Sequence, residues 1–149
     1  VDVGSEYRAS ELSSALIYTQ IIRSREINGL RKKIWFKYYN FLSQLNNKNI
    51  EILVNNKESK SVYHLFAFKT NTVKLASKLR SSLQKKQIPA TFHYVPLHLS
   101  PFGKKFKHGS MNTTKNIWKK IIRLPIYPDL NNSELNKILF SIKFLLKKN

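Results

Sequence analysis

From residue 10 to about residue 45 the apolar side chains return every three or four positions: Leu12, Ala15 and Leu16, Ile22, Ile27, Leu30, Ile34, Tyr38, Phe41 and Leu42, and Leu45. That spacing marks one face of an α-helix. Ser10 stands where an N-cap belongs, and Glu11 follows it at the positive end of the helix. A pattern of this length is unusual for a small domain. The helix is therefore expected to bend near Gly29 or to break there into two. Its stripe reads as core, with no cofactor motif in it.

The chain has 149 residues, enough for one domain with a real core and too few for two large ones. A hydrophobic fraction of 42% and an aromatic fraction of 12% point to a folded chain. Without cysteine there is no disulfide framework, thiolate metal site or thiol nucleophile. No apolar run is long enough to span a bilayer and no signal pattern opens the chain, so the expectation is a cytoplasmic protein with no membrane partner. The sequence begins at Val1 with VDVGSEYR, which reads as a processed or incomplete chain.

The formal charge is +19. A balance this basic is one sign of a nucleic-acid or anionic-surface binder. Its distribution argues otherwise, because the basic pairs at Lys32 and Lys33, Lys85 and Lys86, Lys104 and Lys105, Lys119 and Lys120, and Lys147 and Lys148 are scattered along the chain. Most are lysine, whereas arginine suits bidentate phosphate or base-edge recognition. With asparagine and isoleucine also abundant, the bias reads as compositional drift, and no dedicated nucleic-acid partner is expected.

Beyond the long helix, residues 46–61 are polar loop with a short strand at 51–54. Residues 62–69 (VYHLFAFK) alternate as a strand. Thr72 caps a helix running to about Gln87 on Val73, Leu75, Ala76, Leu79 and Leu83. Residues 88–92 read as a second strand, 101–112 as loop, 113–121 as a short helix, 122–126 as a short strand, 128–132 as a turn, and 133–148 as a final amphipathic helix. The order implies an α/β or α+β layered domain.

Between the second strand and the loop lies FHYVPLH, residues 92–98. Two imidazoles and a phenol within seven residues suit a polar, hydroxylated ligand better than a packed core. Pro96 holds its neighbours extended or turning, so the segment should leave a strand and enter a loop. Loops on a rigid scaffold are where binding groups concentrate. Phe92 and Val95 can equally be core, with His93 and His98 incidental.

Other chemistries lack their parts. No carboxylate lies near His93 and His98 to complete a metal site. There is no G-x-S-x-G elbow, and the four glycines form no phosphate loop. The chain supplies binding groups, or half of a site.

Three segments together resemble one family: GSEYRASELSSA (residues 4–15), FHYVPLH (92–98) and NTTKNIWKKIIRLPIYPDL (112–130), with VYHLFAFK and SELNKILFSIKFLL in the same order. They are similar to the pyridoxal-phosphate-dependent sugar-nucleotide aminotransferases of the DegT/DnrJ group. Within it they look most like the dTDP-4-amino-4,6-dideoxygalactose transaminases of enterobacterial common antigen synthesis. The resemblance covers the whole chain as roughly the C-terminal two-fifths of such an enzyme.

That resemblance implies a linking-helix region over residues 1–47 and a small C-terminal α/β domain of fold type I over residues 48–149. It also implies a homodimer with its active sites at the subunit interface. The reaction implied moves an amino group from L-glutamate to C4 of dTDP-4-dehydro-6-deoxyglucose, with pyridoxal 5'-phosphate as electron sink. The family pattern glycine, any residue, asparagine, aromatic, arginine falls on Gly4, Ser5, Glu6, Tyr7 and Arg8. Its asparagine reaches the cofactor phosphate. Glu6 departs from it, and a carboxylate beside a phosphate is unfavourable, so the contact is expected to pass to Ser5 or Arg8 or to be lost. Tyr94 and His98, ahead of His93, match the loop that faces the sugar nucleotide. The Schiff-base lysine, the acidic partner of the pyridinium nitrogen and the ring-stacking aromatic belong to an upstream domain that these residues do not contain.

Three functional readings follow: part of a transaminase that is inactive alone, a degenerate or binding module keeping only the fold, and a basic nucleic-acid binder. The first predicts that Leu12, Leu16 and Ile22 stand uncovered in this chain.

Overall fold

The computed structural model describes residues 8–56, 58–107 and 109–147. The long helical pattern resolves into α1 (Glu11–Ile22) and α2 (Ser24–Gln44), parted at Arg23 with φ −95° and ψ 6°. The break is not at Gly29, which lies inside α2 with open space beside its α-carbon. Glycine inside a helix costs only about 1 kcal/mol against alanine, so packing readily overrides it. At Arg23 the apolar spacing slips, from Ile22 to Ile27, and the guanidinium turns to Glu26 through two bonds of 3.1 Å. At the start of α1 the Ser10 hydroxyl accepts from the Ser13 amide at 3.2 Å, as an N-cap should.

Three strands, β1 (Ile50–Ile52), β2 (Phe66–Thr70) and β3 (Ile121–Leu124), form one antiparallel sheet in the order β1-β2-β3. The helices α3 (Val73–Lys85), α4 (Asn112–Ile117) and α5 (Asn132–Lys147) complete an α+β layered domain. Thr72 caps α3, its hydroxyl accepting from the Leu75 amide at 3.1 Å.

Two strands are shorter than their sequences imply. Tyr63 adopts a left-handed φ of 51°, so extended chain begins only at Phe66. The strand expected over residues 88–92 shrinks to a single bridge between Thr91 and Arg123. Pro89, which has no amide hydrogen, lies within that segment and cannot extend the ladder.

Register explains the layering. Phe66 lies opposite Leu124, Phe68 opposite Ile122, and Ile52 opposite Phe68, so these side chains share one face. They pack with Ile34, Tyr38 and Leu42 of α2, Leu79 and Leu83 of α3, and Leu135, Ile138 and Ile142 of α5 in one buried core. The other face carries Glu51, Lys69, Ala67, Ile121 and Arg123. Because α2 contributes three buried side chains, the last turns of the long helix belong to this core.

Helix α1 buries none of its residues. Leu12, Leu16 and Ile22 are 74%, 61% and 63% exposed, as the reading of a partial chain requires. No described helix is long and apolar enough to cross a membrane.

Candidate functional site

The second sheet face positions the loop after Thr91. Thr91 exchanges two backbone hydrogen bonds with Arg123, 2.7 and 3.3 Å, which fix where the chain leaves the sheet. Phe92 then sets its ring edge-on to Trp118 at 5.5 Å between centroids, and the guanidinium of Arg80 lies 5.8 Å from the same ring. Arg80 also donates to the carbonyls of Lys119 (2.9 Å) and Ile121 (3.1 Å), holding α3 to the turn that precedes β3. Its half-burial lowers its pKa through desolvation.

His93 and Tyr94 follow with their rings 4.6 Å apart. Arg123 reaches to 6.0 Å from the Tyr94 ring. Both His93 and Tyr94 are exposed. His93 titrates below its ordinary value, first because of partial desolvation and then because of the positive charges of Arg123 and His64. Pro96, at φ −56° and ψ 137°, turns the chain into a short 3-10 turn over Leu97–Leu99. His98 sits in that turn, half-buried, with its Nε2 enclosed. The Ser100 hydroxyl donates to the Leu97 carbonyl at 2.7 Å and accepts from the Gly103 amide at 2.9 Å, which closes the turn.

Between this loop and α4 lies a cavity of about 580 Å³. Its rim is His93 and Tyr94, and its walls are mainly Val95, Leu97, Ile117, Trp118 and Ile121, with the hydroxyl-bearing Thr113 and Thr114. Pocket and loop therefore suit a ligand with a flat or apolar part and a polar part at the rim. Of the residues singled out in the sequence, the structure brings His93 and Tyr94 to one rim, and His98 to a neighbouring hollow of about 410 Å³ beside Gly103 and Phe106. Arg8 is exposed at the head of α1, apart from this cluster. Ser5 and Glu6 lie outside the described residues.

Sequence reasoning missed Arg123, Arg80 and Trp118. Alternation in IIRL held a usable signal for Arg123: with Ile122 and Leu124 in the core, Arg123 must face the other way. Nothing in the spacing of Arg80 or Trp118 foretold their contacts with Phe92.

The model of the DegT/DnrJ/EryC1/StrS aminotransferase family matches residues 1–143. The chain belongs to that family. An uncharacterised protein of Methanocaldococcus jannaschii is 25% identical over 158 aligned residues, which take in 100% of this chain and 40% of that protein. Among solved structures, PseC of Helicobacter pylori, an aminotransferase of pseudaminic acid biosynthesis, superposes with a TM-score of 0.85 at 21% identity, covering 100% of this chain and 40% of PseC. DesV of S. venezuelae, solved with a ketimine intermediate, gives a TM-score of 0.82 at 25% identity over 94% of this chain and 37% of DesV. The chain thus spans about two-fifths of the aminotransferase relatives it matches. The antiparallel sheet with its helical layer is the part of the aminotransferase fold that this family member shares with them.

Proposed function

We propose that this chain is the linking helix and small domain of a pyridoxal-phosphate-dependent sugar-nucleotide aminotransferase. The substrate proposed is dTDP-4-dehydro-6-deoxyglucose, aminated at C4 with L-glutamate as donor, for a cell-surface polysaccharide such as enterobacterial common antigen. The observation that carries this reading is the family match over residues 1–143, joined to a loop that presents His93 and Tyr94 at the rim of a cavity on the sheet's open side.

The residues have separable duties. Tyr94 and His93 present a phenol and an imidazole to hydroxyl or phosphate groups of the nucleotide sugar, and His98 supports the loop from its 3-10 turn. The apolar walls at Val95, Ile117 and Trp118 exclude water from the bound part of the ligand. Arg8 stands just before the N-cap of α1, where its charge and the helix's positive end both suit the cofactor phosphate. Of the neighbouring sequence positions, Ser5 offers a neutral donor for such a phosphate, whereas a carboxylate at Glu6 would be unfavourable to it. When bound, pyridoxal phosphate supplies the electron sink for the transfer, through a lysine outside these residues.

The domain division proposed is a linking region to residue 47 and a small domain from residue 48. The uncovered apolar side chains of α1 support packing against an upstream domain, in a homodimer with shared active sites.

The test is to express the full coding sequence and record its visible spectrum and its turnover of a dTDP-4-ketosugar with L-glutamate. A lysine-bound cofactor spectrum and an aminated sugar product support the reading. A complete chain without cofactor binding sinks it in favour of a non-catalytic module, to which Glu6 already points.

A further inference from the structure

We propose that Arg123 is an anion-holding residue of this site, gripping a carboxylate or phosphate group of a substrate with its guanidinium. The assignment rests on the aminotransferase reading, whose two substrates both carry such groups: carboxylates on the amino donor, a diphosphate on the sugar nucleotide.

Position is the first argument. Arg123 is clamped in mid-sheet, opposite Ala67 on β2 and bridged to Thr91 on its other side. A binding group on a rigid strand is held more accurately than one on a loop. Its neighbours Ile122 and Leu124 are in the core, so its side chain leaves on the open face, and its guanidinium lies 6.0 Å from the ring of Tyr94. Ala67, the residue opposite, is small and leaves room on that face.

Electrostatics is the second. The one carboxylate that the sheet brings to this face, Glu51, is engaged by Lys69 at 2.6 Å. Among the described residues no carboxylate makes an ion pair with Arg123. His93 is instead close enough for the Arg123 charge to disfavour its protonated form. A partly buried guanidinium without a carboxylate partner is a favourable place for an anion, and the neighbouring imidazole can donate to the same group.

Comparison with two other arginines, Arg80 and Arg23, is the third. Arg80 is satisfied by two backbone carbonyls, and Arg23 by Glu26. Among the described residues the guanidinium of Arg123 meets only the face of Tyr94, which leaves its forked donors for a ligand.

The test compares the full chain with its Arg123→Gln, Arg123→Lys and Arg25→Gln variants, Arg25 being exposed on α2. The two half-reactions are measured separately. Arg123→Gln is expected to weaken the apparent affinity for one substrate about ten- to a hundredfold, the value of a charge-assisted bond, with partial recovery in Arg123→Lys. Loss confined to L-glutamate assigns the carboxylate, and loss confined to the nucleotide sugar assigns the diphosphate. Unchanged affinities for both overturn the assignment while leaving the transaminase reading intact. If the wild-type chain does not transaminate, calorimetric binding of inorganic pyrophosphate and of glutarate at physiological salt still decides. Weaker binding in Arg123→Gln alone supports the site, whereas equal weakening in Arg25→Gln, or none in either, overturns it.

Discussion

The Tyr38 hydroxyl donates a hydrogen bond of 2.9 Å to the carbonyl oxygen of Pro125, 87 residues away. It ties the buried face of α2 to the chain just after β3. Replacing Tyr38 with Phe removes the donor and leaves a carbonyl short of a partner. Equilibrium unfolding should show a loss of about 1–2 kcal/mol. The same burial raises the Tyr38 pKa above its ordinary 10.0, with the nearby Tyr127 adding to the shift. The folded state therefore favours the neutral phenol. Its contribution is whole below about pH 10 and is lost as pH rises toward the folded pKa. The stability gap between wild type and Tyr38→Phe should be flat from neutral pH to about 9 and narrow above 10. A gap that widens with alkali would contradict the burial argument.

Gly103 allows the loop to close. A β-carbon there would overlap the Leu97 carbonyl and press on the Ser100 hydroxyl, and the first of these is backbone that must move. Gly103→Ala should cost about 1–3 kcal/mol and shift the amide resonances of residues 97–105 more than those of the sheet. Uniform small shifts with unchanged stability would show that the turn absorbs the methyl.

His93 offers a check by titration. Desolvation first, then Arg123 and His64, lower its pKa from 6.5. The neutral imidazole is the form the fold favours. Its contribution is present above about pH 6.5 and is lost as pH falls toward the lowered folded value. An NMR titration should find His93 below 6.5 and moved partway back up in Arg123→Gln. No movement would mean that Arg123 lies farther from the ring than the structure has it.

Much of this architecture is written in local pattern. Helical period, N-caps at Ser10 and Thr72, and alternation in FAFK each act within a few residues, so the sequence displays them. The break at Arg23 was harder to see because glycine punctuates more loudly than a slipped apolar register or an ion pair three residues long. The strand lost at residues 88–92 depended on which neighbour it could pair with, a tertiary fact that only Pro89 hints at. The same holds at the site. His93, Tyr94 and His98 were legible as chemistry close in sequence, while Arg123 and Trp118 came to the loop through folding.

The uncovered helix gives a fourth test. Leu12→Gln with Leu16→Gln removes apolar side chains that α1 already shows to solvent. In the 149-residue chain the pair should leave the unfolding transition in place. In a longer chain whose proposed upstream domain covers α1, it should cost about 1.5–3 kcal/mol for each leucine. Equal behaviour in both would remove the argument for an upstream packing partner.

The interruption at Arg23 has a mechanical consequence. Ahead of it stand the 12 residues of α1, none of them anchored in the core. At about 1.5 Å of rise per residue they form a lever arm of roughly 18 Å. A change of about 10° at that pivot carries the tip at Ser10, with Arg8 just beyond it, through about 3 Å, the span of one hydrogen bond. Under the proposed function, the reach of Arg8 toward a cofactor phosphate would follow the backbone angles of a single exposed residue, Arg23, and the carboxylate of Glu26 that steadies it.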